Sequence, residues 1–411
     1  MPVPPADPIV RHETTTCCIV GGGPAGMMLG FLLARAGVEV AVLEKHKDFF
    51  RDFRGDTIHP STLELMHELG LLDDFLKRPH STIEELGGQV GDSFAIIADF
   101  RFLPTHCKCI VLMPQWDFLD FIAAAAGRYP QFRLLRETAF TDLVTDAAGR
   151  VTGVRAKTEG GTVEIAADLV VGCDGRHSDV RARSGFAVID LGAPMDVLWL
   201  RLSKKASDGG QTFGRIESGH MLVTIDRNDY WQCAYLIPKG RYDAVRRAGL
   251  DAFRAQIAQL KPEFSDRTGE IKDWDDVKLL TVAVDRLRTW HRPGLLVIGD
   301  AAHAMSPIGG VGINLAIQDA VAAANILAAP LLRHSVSEAD LAAVQKRRMF
   351  PTRMIQGVQL FVQNKFLSRV LAGGAVNVPL AFRLLQRFPI LRRLPARLVG
   401  VGFRPEHVRP A

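Results

Sequence analysis

Three glycines near the N-terminus have a spacing that suits the binding of a pyrophosphate: Gly21-x-Gly23-x-x-Gly26. An apolar, β-branched run at 15–20 precedes them and predicts a buried parallel strand, and the helix formers of 25–36 follow them. The first glycine permits a tight bend, the second lets the backbone approach the phosphates, and the third lets helix and strand pack closely. The helix N-terminus adds free N–H groups and the positive end of a dipole. A dinucleotide site is therefore predicted, in preference to a glycine-rich turn without a ligand.

The strand that follows, at 38–43, completes a βαβ unit and ends at Glu44. A carboxylate at this position can accept hydrogen bonds from the hydroxyl groups of a ribose. The residues predicted to contact the dinucleotide in this unit are Gly21, Gly23, Pro24, Ala25, Gly26, Glu44 and Lys45. The unit fits FAD and NAD equally well, so the choice between them depends on other motifs.

Two later motifs favour FAD. The first is Cys173-Asp174-Gly175-Arg176-His177-Ser178 with a following Arg181, and the second is Gly299-Asp300-Ala301-Ala302-His303, followed by Pro307, Gly309, Gly310, Gly312 and Asn314. With the glycine turn, these motifs make nearly the whole chain resemble the single-component flavoprotein aromatic hydroxylases, the family of p-hydroxybenzoate hydroxylase and the ubiquinone-ring hydroxylases. Arg54, which precedes His59-Pro60-Ser61, and Gln115, which opens a helix, resemble further positions of that family.

The resemblance implies a role for each segment. Asp300 would reach a ribityl hydroxyl of FAD, and Asp174 would lie near the pyrophosphate, where two carboxylates must act through neighbouring groups. The loop after Pro307 would bring backbone amides and a helix N-terminus to the N1–C2 edge of the flavin. The further FAD contacts implied are Arg54, Gln115, Asp174, Gly299, Asp300, Gly310, Gly312, Ile313 and Asn314. As alternatives, Asp300 could cap its loop, Asp174-Gly175 could be a plain turn, and Arg54 could be a solvated surface charge; for His303 a structural role is favoured.

The same resemblance implies a reaction. NADH or NADPH would reduce FAD, O2 would add at the flavin C4a position, and the hydroperoxide would hydroxylate a phenol-like substrate. A second GxGxxG is absent from the sequence, which suits a family that binds the nicotinamide without a separate Rossmann domain. Two alternatives remain: a reductase or epoxidase of the same fold that acts on an isoprenoid or lipid, and a non-catalytic flavin-binding sensor. The Trp-x-Trp-x-Ile-Pro stretch of halogenases is not matched, since Gln, Cys and Ala follow Trp231.

A change of composition after residue 190 predicts a second unit in which strands carry aromatic residues. The substrate pocket is expected between this sheet and the flavin. The candidates for contact with the substrate are Phe213, His220, Trp231, Gln232, Tyr235 and the carbonyl of Pro307. Strand alternation puts Trp231 and Tyr235 on one face and Gln232 on the other, and the sequence does not decide which face meets the flavin.

The predicted fold class is α/β: a Rossmann-like FAD-binding domain with an inserted mixed-sheet substrate domain and C-terminal helices. The FAD-binding domain is expected at 1–80, 105–190 and 280–330, the substrate domain at 81–104 and 191–279, and the helical region at 331–411. Helices are predicted at 60–78 and near 243–260.

Composition and charge limit the kinds of molecule that the protein is expected to bind. Net charge is +5, and the sequence contains no nucleic-acid-binding motif, so a small aromatic molecule rather than DNA or RNA is expected. Six cysteines without a CxxC and an N-terminus without a signal-peptide pattern favour a cytoplasmic protein that has no metal site. The stretch 381–411 holds seven arginines against Glu406, and it is either a pair of packed helices or a contact for an anionic membrane surface. The oligomeric state is left open.

Overall fold

The computed structural model describes residues 9–50, 57–91, 93–208, 213–217, 219–373 and 380–409. Its strands are β1 (Ile9–Val20), β2 (Val40–Leu43), β3 (Thr57–Ile58), β4 (Ser81–Ile83), β5 (Glu85–Val90), β6 (Ser93–Asp99), β7 (Ile110–Leu112), β8 (Phe132–Leu135), β9 (Ala139–Thr145), β10 (Val151–Thr158), β11 (Gly161–Gly172), β12 (Val188–Asp190), β13 (Met195–Ser203), β14 (Phe213–Glu217), β15 (His220–Asp226), β16 (Tyr230–Pro238), β17 (Lys278–Leu280), β18 (Asp285–Leu287), β19 (His291–Arg292) and β20 (Leu295–Val297).

The helices are α1 (Pro24–Arg35), α2 (Pro60–Glu68), α3 (Leu72–Leu76), α4 (Gln115–Ala126), α5 (Asp179–Ser184), α6 (Tyr242–Ala248), α7 (Leu250–Leu260), α8 (Val311–Leu332), α9 (Glu338–Val362), α10 (Ser368–Leu371), α11 (Leu380–Arg387) and α12 (Arg393–Gly400). Short 3-10 turns at Phe100–Phe102, Gly299–Ala301 and Ile308–Gly310 bear on the site described below.

A largely parallel sheet forms the first layer, in the order β19-β20-β11-β1-β2-β8, with β10 and β9 continuing from β11. β1 lies between β2 and β11, and Val20 is level with both Leu43 and Gly172, so these three strands end at one edge. The strands are apolar because helices cover them: α1 packs against α8 and α4. The predicted α/β fold class is confirmed.

A seven-stranded, mostly antiparallel sheet forms the second layer, in the order β17-β13-β16-β15-β14-β5-β6. One of its faces packs against α7 through Leu198, Leu200, Trp231, Cys233 and Tyr235. The opposite face carries Val197, Ala234 and Leu236 and contacts Ile308 of the first unit. The antiparallel register accounts for both faces, since Leu198 pairs with Tyr235 and Val197 pairs with Leu236.

Glycines break two of the predicted helices. The segment 60–78 is divided into α2 and α3 by Gly70 at φ +68°, and the helix near 243–260 is divided into α6 and α7 by Gly249 at φ +93°. Both angles lie in the left-handed region that ends a helix and that glycine adopts most readily.

Helix α8 is the core helix of the first unit. The stretch Ile308–Leu332 has the length and apolar composition of a membrane span, but 72% of its apolar window is buried inside the protein. Its burial against α1 and α9 explains the apolar composition.

Candidate flavin site

The glycine turn after β1 is built so tightly that side chains cannot be added. Gly21 has φ +107°, and a Cβ there would lie 2.6 Å from the carbonyl oxygen of Cys173. A Cβ on Gly26 would lie 2.0 Å from the carbonyl oxygen of Gly21. Both distances are far below van der Waals contact, so glycine is required at each position.

The N-terminus of α1 points out of this turn with its first N–H groups open. Gly23 is the N-cap residue and Pro24 begins the helix; within the described residues no side chain caps this end, and its first turn holds no acidic residue. Open N–H groups and the positive end of the helix dipole suit a pyrophosphate. The residues present therefore fit the pyrophosphate of FAD.

Glu44 stands beside the same turn, directly after β2. One oxygen of its carboxylate accepts a hydrogen bond from the backbone N–H of Gly22 at 3.2 Å, and the other accepts one from His46 at 3.0 Å. These bonds hold the carboxylate at the carboxyl end of β2, in a position that suits ribose hydroxyls. Lys45 follows it and is exposed.

Asp174 is turned into its own loop rather than toward the glycine turn. Its carboxylate accepts hydrogen bonds from the hydroxyl of Ser178 at 2.5 Å and from the N–H of Val180 at 3.0 Å, and Ser178 in turn caps α5. Burial raises the pKa of Asp174, and these hydrogen bonds offset only part of that effect. Asp174 thus shapes the loop, and both of its carboxylate oxygens are bound by groups of that loop.

The Gly299-Asp300 turn brings three elements together. Gly299 has φ +62°, and a Cβ there would lie 3.1 Å from the Cβ of Ala25 in α1 and 3.2 Å from the Cβ of Ala316 in α8. The turn therefore sits in the crevice between the two helices. Asp300 is half-buried beside Arg176, whose guanidinium donates to its carboxylate at 3.4 Å. This ion pair connects the two later motifs, and it was not predicted from the sequence.

The loop after Pro307 leads into the N-terminus of α8. Gly309 and Gly310 have φ +75° and +62°, and a Cβ on Gly310 would lie 2.1 Å from the hydroxyl oxygen of Thr57. In the part of the chain that is described, no side chain caps α8. A Cβ on Gly312 would lie 3.9 Å from a carboxylate oxygen of Asp300, so the start of α8 and Asp300 are neighbours. A second open helix N-terminus thus lies where the flavin ring is expected.

Asn314 is a clamp. Its side-chain oxygen accepts from the N–H of His59 at 2.9 Å and the hydroxyl of Thr62 at 2.8 Å. Its NH2 group donates to the carbonyl oxygens of Thr57 and Gly310, at 2.9 and 3.2 Å. The amide is therefore used within the protein, and an FAD contact by Asn314 must come from its backbone. Ile313 beside it is buried.

Two predicted FAD contacts are less defined. Arg54 lies outside the described residues. Gln115 is the first residue of α4 and is half-buried, with Pro114 as the N-cap residue.

A buried charge network supports the Gly299-Asp300 turn from behind. Asp319 of α8 is fully buried; one of its carboxylate oxygens accepts from the N–H of Gly299 at 3.1 Å and pairs with Nε2 of His303 at 2.5 Å. The other accepts from Arg348 of α9 at 2.8 Å, and Arg348 also donates to Glu406 at 3.1 Å. Burial alone would raise the pKa of Asp319, but the charges and hydrogen bonds of His303 and Arg348 outweigh it and lower the pKa. His303 thus has the structural role that the sequence favoured.

Three residues predicted to contact the substrate lie on the face of the second sheet that α7 covers. Trp231 is fully buried against α7 and 3-10 turns, and its indole N–H donates to Asp208 at 3.0 Å. The hydroxyl of Tyr235 contacts Nδ1 of His220 at 2.6 Å and Gln256 of α7 at 2.8 Å. Because α7 fills this face, the structure does not bring Trp231, Tyr235 and His220, the residues predicted to be catalytic, to the other face of the sheet, where Ile308 packs. Phe213, another candidate, pairs with Thr224 in the backbone register of β14 and β15.

The face toward the flavin site has a different lining. Trp199, Val223, Ala234 and Leu236 lie on it and belong to a cluster that includes Ile308, next to Pro307. Gln232 shares this face, is buried, and receives a hydrogen bond from Arg227 at 3.0 Å. Gln232 is thus the sheet candidate that the structure keeps on the flavin side. The sequence could not decide which face meets the flavin, because that depends on where α7 packs.

Comparisons with known proteins agree with this geometry. The family described as FAD binding domain matches residues 13–358. The chain is 35% identical to 6-methylpretetramide 4-monooxygenase of Streptomyces rimosus over 97% of this chain and 94% of that protein. Rifampicin monooxygenase of Streptomyces venezuelae is 30% identical over 74% of this chain, which spans only 61% of that longer protein.

Solved structures share the fold. PqsL of Pseudomonas aeruginosa in complex with 2-aminobenzoylacetate has a TM-score of 0.74 at 21% identity, over 88% of this chain and 99% of that chain. OxyS anhydrotetracycline hydroxylase of Streptomyces rimosus has a TM-score of 0.74 at 22% identity, over 94% of this chain and 76% of that chain. The chain belongs to the FAD-binding family and is an FAD-dependent monooxygenase.

Proposed function

We propose that this monooxygenase hydroxylates a fused-ring aromatic substrate that carries phenolic oxygens, with NADH or NADPH as electron donor and O2 as oxygen source. The observation that carries the substrate class is the 35% identity with 6-methylpretetramide 4-monooxygenase, which extends over 97% of this chain. The similarity thus includes the substrate-side sheet and the C-terminal helices as well as the flavin domain.

The cofactor-binding residues are assigned by their place in the three loops. The pyrophosphate would lie on the turn from Gly21 to Gly26 and on the open end of α1, with Glu44 on the ribose. Asp300 would hold the ribityl chain, and the backbone from Gly310 to Asn314 would face the flavin ring. When bound, FAD supplies O2 activation and the transfer of one oxygen atom.

The protein itself would contribute an apolar pocket lining that excludes water and polar groups that hold the substrate in position. Val223, Ala234, Leu236 and Ile308 form an apolar cluster on the flavin side of the sheet, and an apolar lining suits the faces of an aromatic ring system. The carbonyl of Pro307 would accept a hydrogen bond from a substrate hydroxyl. Gln232 is placed on the same face, where an amide can bind a ring oxygen. Excluding water from such a pocket protects the reaction from side hydrolysis.

A cytoplasmic location is part of the proposal. The six cysteines are free, which fits a reducing compartment.

The proposal is tested by steady-state oxidation of NADH and NADPH in the FAD-loaded protein, with single-ring phenols and fused-ring phenols compared. Fused-ring compounds are expected to stimulate oxidation most and to yield a product heavier by one oxygen. Ala234→Phe should raise KM for fused-ring substrates, whereas Cys233→Ala, its neighbour on the α7 face, should leave KM unchanged. Bound flavin without stimulated oxidation by any compound would contradict the proposal and favour a reductase, an epoxidase or a sensor.

A further inference from the structure

The C-terminal helices carry an exposed apolar surface. On α11, α12 and the turn between them, Leu384, Phe388, Ile390 and Leu394 are 42, 49, 65 and 68% exposed. Phe94 of β6 and Phe102 of the 3-10 turn after it are 48 and 56% exposed, and both contact these helices. We call these six residues the tail patch. Soluble proteins rarely expose so many large apolar side chains in one place without a partner.

Hydrogen bonds and packing hold the helices of the tail patch in place. Gln386 donates to the carbonyl oxygen of Phe94 at 2.8 Å, and Arg392 donates to that of Leu385 at 3.0 Å. On the inner side, Ala396 is fully buried, and a Cβ on Gly400 would lie 2.9 Å from the side chain of Leu103. The inward faces of the helices are therefore already packed, and the apolar side chains of the patch point outward by construction.

Positive charge surrounds the patch. Arg383, Arg387, Arg393 and Arg397 are exposed on the same helices, and the sequence from 380 to 405 contains no Asp or Glu. The nearby acids Asp99 and Glu85 are both bound by Arg101. Among the residues that the structure describes, no carboxylate pairs with these four arginines. The surface thus combines exposed aliphatic and aromatic side chains with positive charge, a combination typical of helices that lie in a membrane interface.

We propose that the tail patch docks the enzyme on an anionic lipid bilayer. The apolar side chains would enter the boundary between headgroups and acyl chains, and the arginines would contact lipid phosphates. A basic residue near an anionic surface strengthens binding by roughly fivefold.

The position of the patch connects docking to the substrate. The inner side of α12 packs on a cluster that contains Trp199 and Val223, and the same two residues contact the cluster of Ile308. Trp199 and Val223 therefore connect α12, which carries part of the tail patch, to the proposed pocket wall. Docking could bring an apolar substrate from the bilayer to this pocket. That role rests on the proposed function, whereas the docking itself does not.

The test is co-sedimentation of the FAD-loaded full chain with vesicles of phosphatidylcholine alone and of phosphatidylcholine with phosphatidylglycerol. Binding is expected to the anionic vesicles and to fall with salt. Arg383→Gln/Arg387→Gln should weaken it about 25-fold, and Ile390→Ser/Leu394→Ser should abolish it. Matched controls are Arg241→Gln/Arg247→Gln on the exposed side of α6 and Leu332→Ser, which is 51% exposed at the far end of α8; both should bind like the parent.

Three results would overturn the inference: no binding to either vesicle, equal binding to neutral and anionic vesicles, or equal losses in the control variants. Size-exclusion chromatography with light scattering adds a fourth. If the protein is a dimer that Ile390→Ser/Leu394→Ser dissociates, a second copy covers the patch instead of lipid. Because vesicle binding is measured without turnover, failure of the docking leaves the proposed hydroxylation standing, and loss of the hydroxylation leaves the docking standing.

Discussion

Replacing Asp319 by Asn tests whether the buried network holds the flavin-binding turn. The amide keeps one acceptor for Arg348 but cannot accept from both Gly299 and His303, and it leaves the buried guanidinium opposed only by Glu406. Removing one member of a buried ion pair costs about 3–5 kcal/mol. With an unfolding entropy of about 2.1 cal/mol/K per residue, that cost lowers the Tm of a chain of 411 residues by about 3–6 °C.

The readout specific to the site is FAD affinity, measured by quenching of flavin fluorescence on binding. Because Asp300 stands on the turn that Asp319 fixes, the Kd for FAD is expected to rise at least about tenfold, equivalent to about 1.4 kcal/mol. Asp120→Asn makes the same chemical change in a half-exposed pair 3.7 Å from Arg136 and should alter neither Tm nor Kd appreciably. A Asp319→Asn protein that loses stability but binds FAD like the parent would refute the positioning role.

The same variant has a pH signature. The pKa of Asp319 is lowered in the folded protein, so its ionised form adds stability above the unfolded-state pKa of about 3.9, and this stability is lost as pH falls toward the folded-state pKa. The Tm of the parent protein should therefore fall more than the Tm of Asp319→Asn between about pH 5 and about pH 3, a range that includes the unfolded-state pKa of about 3.9. Equal slopes in that range would show that the carboxylate is not stabilised by its partners.

Gly26→Ala should abolish FAD binding because a Cβ would lie 2.0 Å from the Gly21 carbonyl oxygen, whereas Gly357→Ala, which has open space, should bind FAD normally; flavin absorbance after gel filtration decides. Tyr235→Phe should lower stability by about 1–2 kcal/mol through loss of its contacts with His220 and Gln256, with kcat and KM unchanged; a changed KM would return Tyr235 to the substrate site. Glu406→Gln should raise the Kd for FAD less than Asp319→Asn does, because it acts through Arg348; an equal or larger effect would reverse that order.

The motifs that could be recognised from the sequence are those in which backbone geometry restricts the residue type. Gly21 and Gly26 leave no room for a side chain, so their chemistry is visible as spacing alone. Gly299 has the same property through its close approach to Ala25 and Ala316. Such local constraints can be recognised without knowing the fold.

The face of the second sheet that meets the substrate could not be predicted in the same way. Alternation correctly separated Trp231 and Tyr235 from Gln232, but the choice of face depends on α7, which packs on the sheet from a later part of the chain. The aromatic residues named as candidates could also be core residues, and Trp231 and Tyr235 do fill a core here.

The charge network was missed because its members are distant in sequence. Asp319, Arg348 and Glu406 meet only after α8, α9 and the C-terminal segment have packed. One signal was present: an ionisable residue inside the apolar, Ala-rich helix α8 is rarely buried without a partner. The clamp formed by Asn314 is a similar case, since its partners lie about 255 residues earlier.

The proposed hydroxylation is tested by incorporation of oxygen from isotopically labelled O2 into a fused-ring phenol by the FAD-loaded enzyme with NADH or NADPH. We expect a product that carries one labelled oxygen atom per molecule, formed only when flavin and reduced nicotinamide are both present. A product that carries oxygen from water, or oxidation of NAD(P)H that releases only peroxide with every substrate, would contradict it.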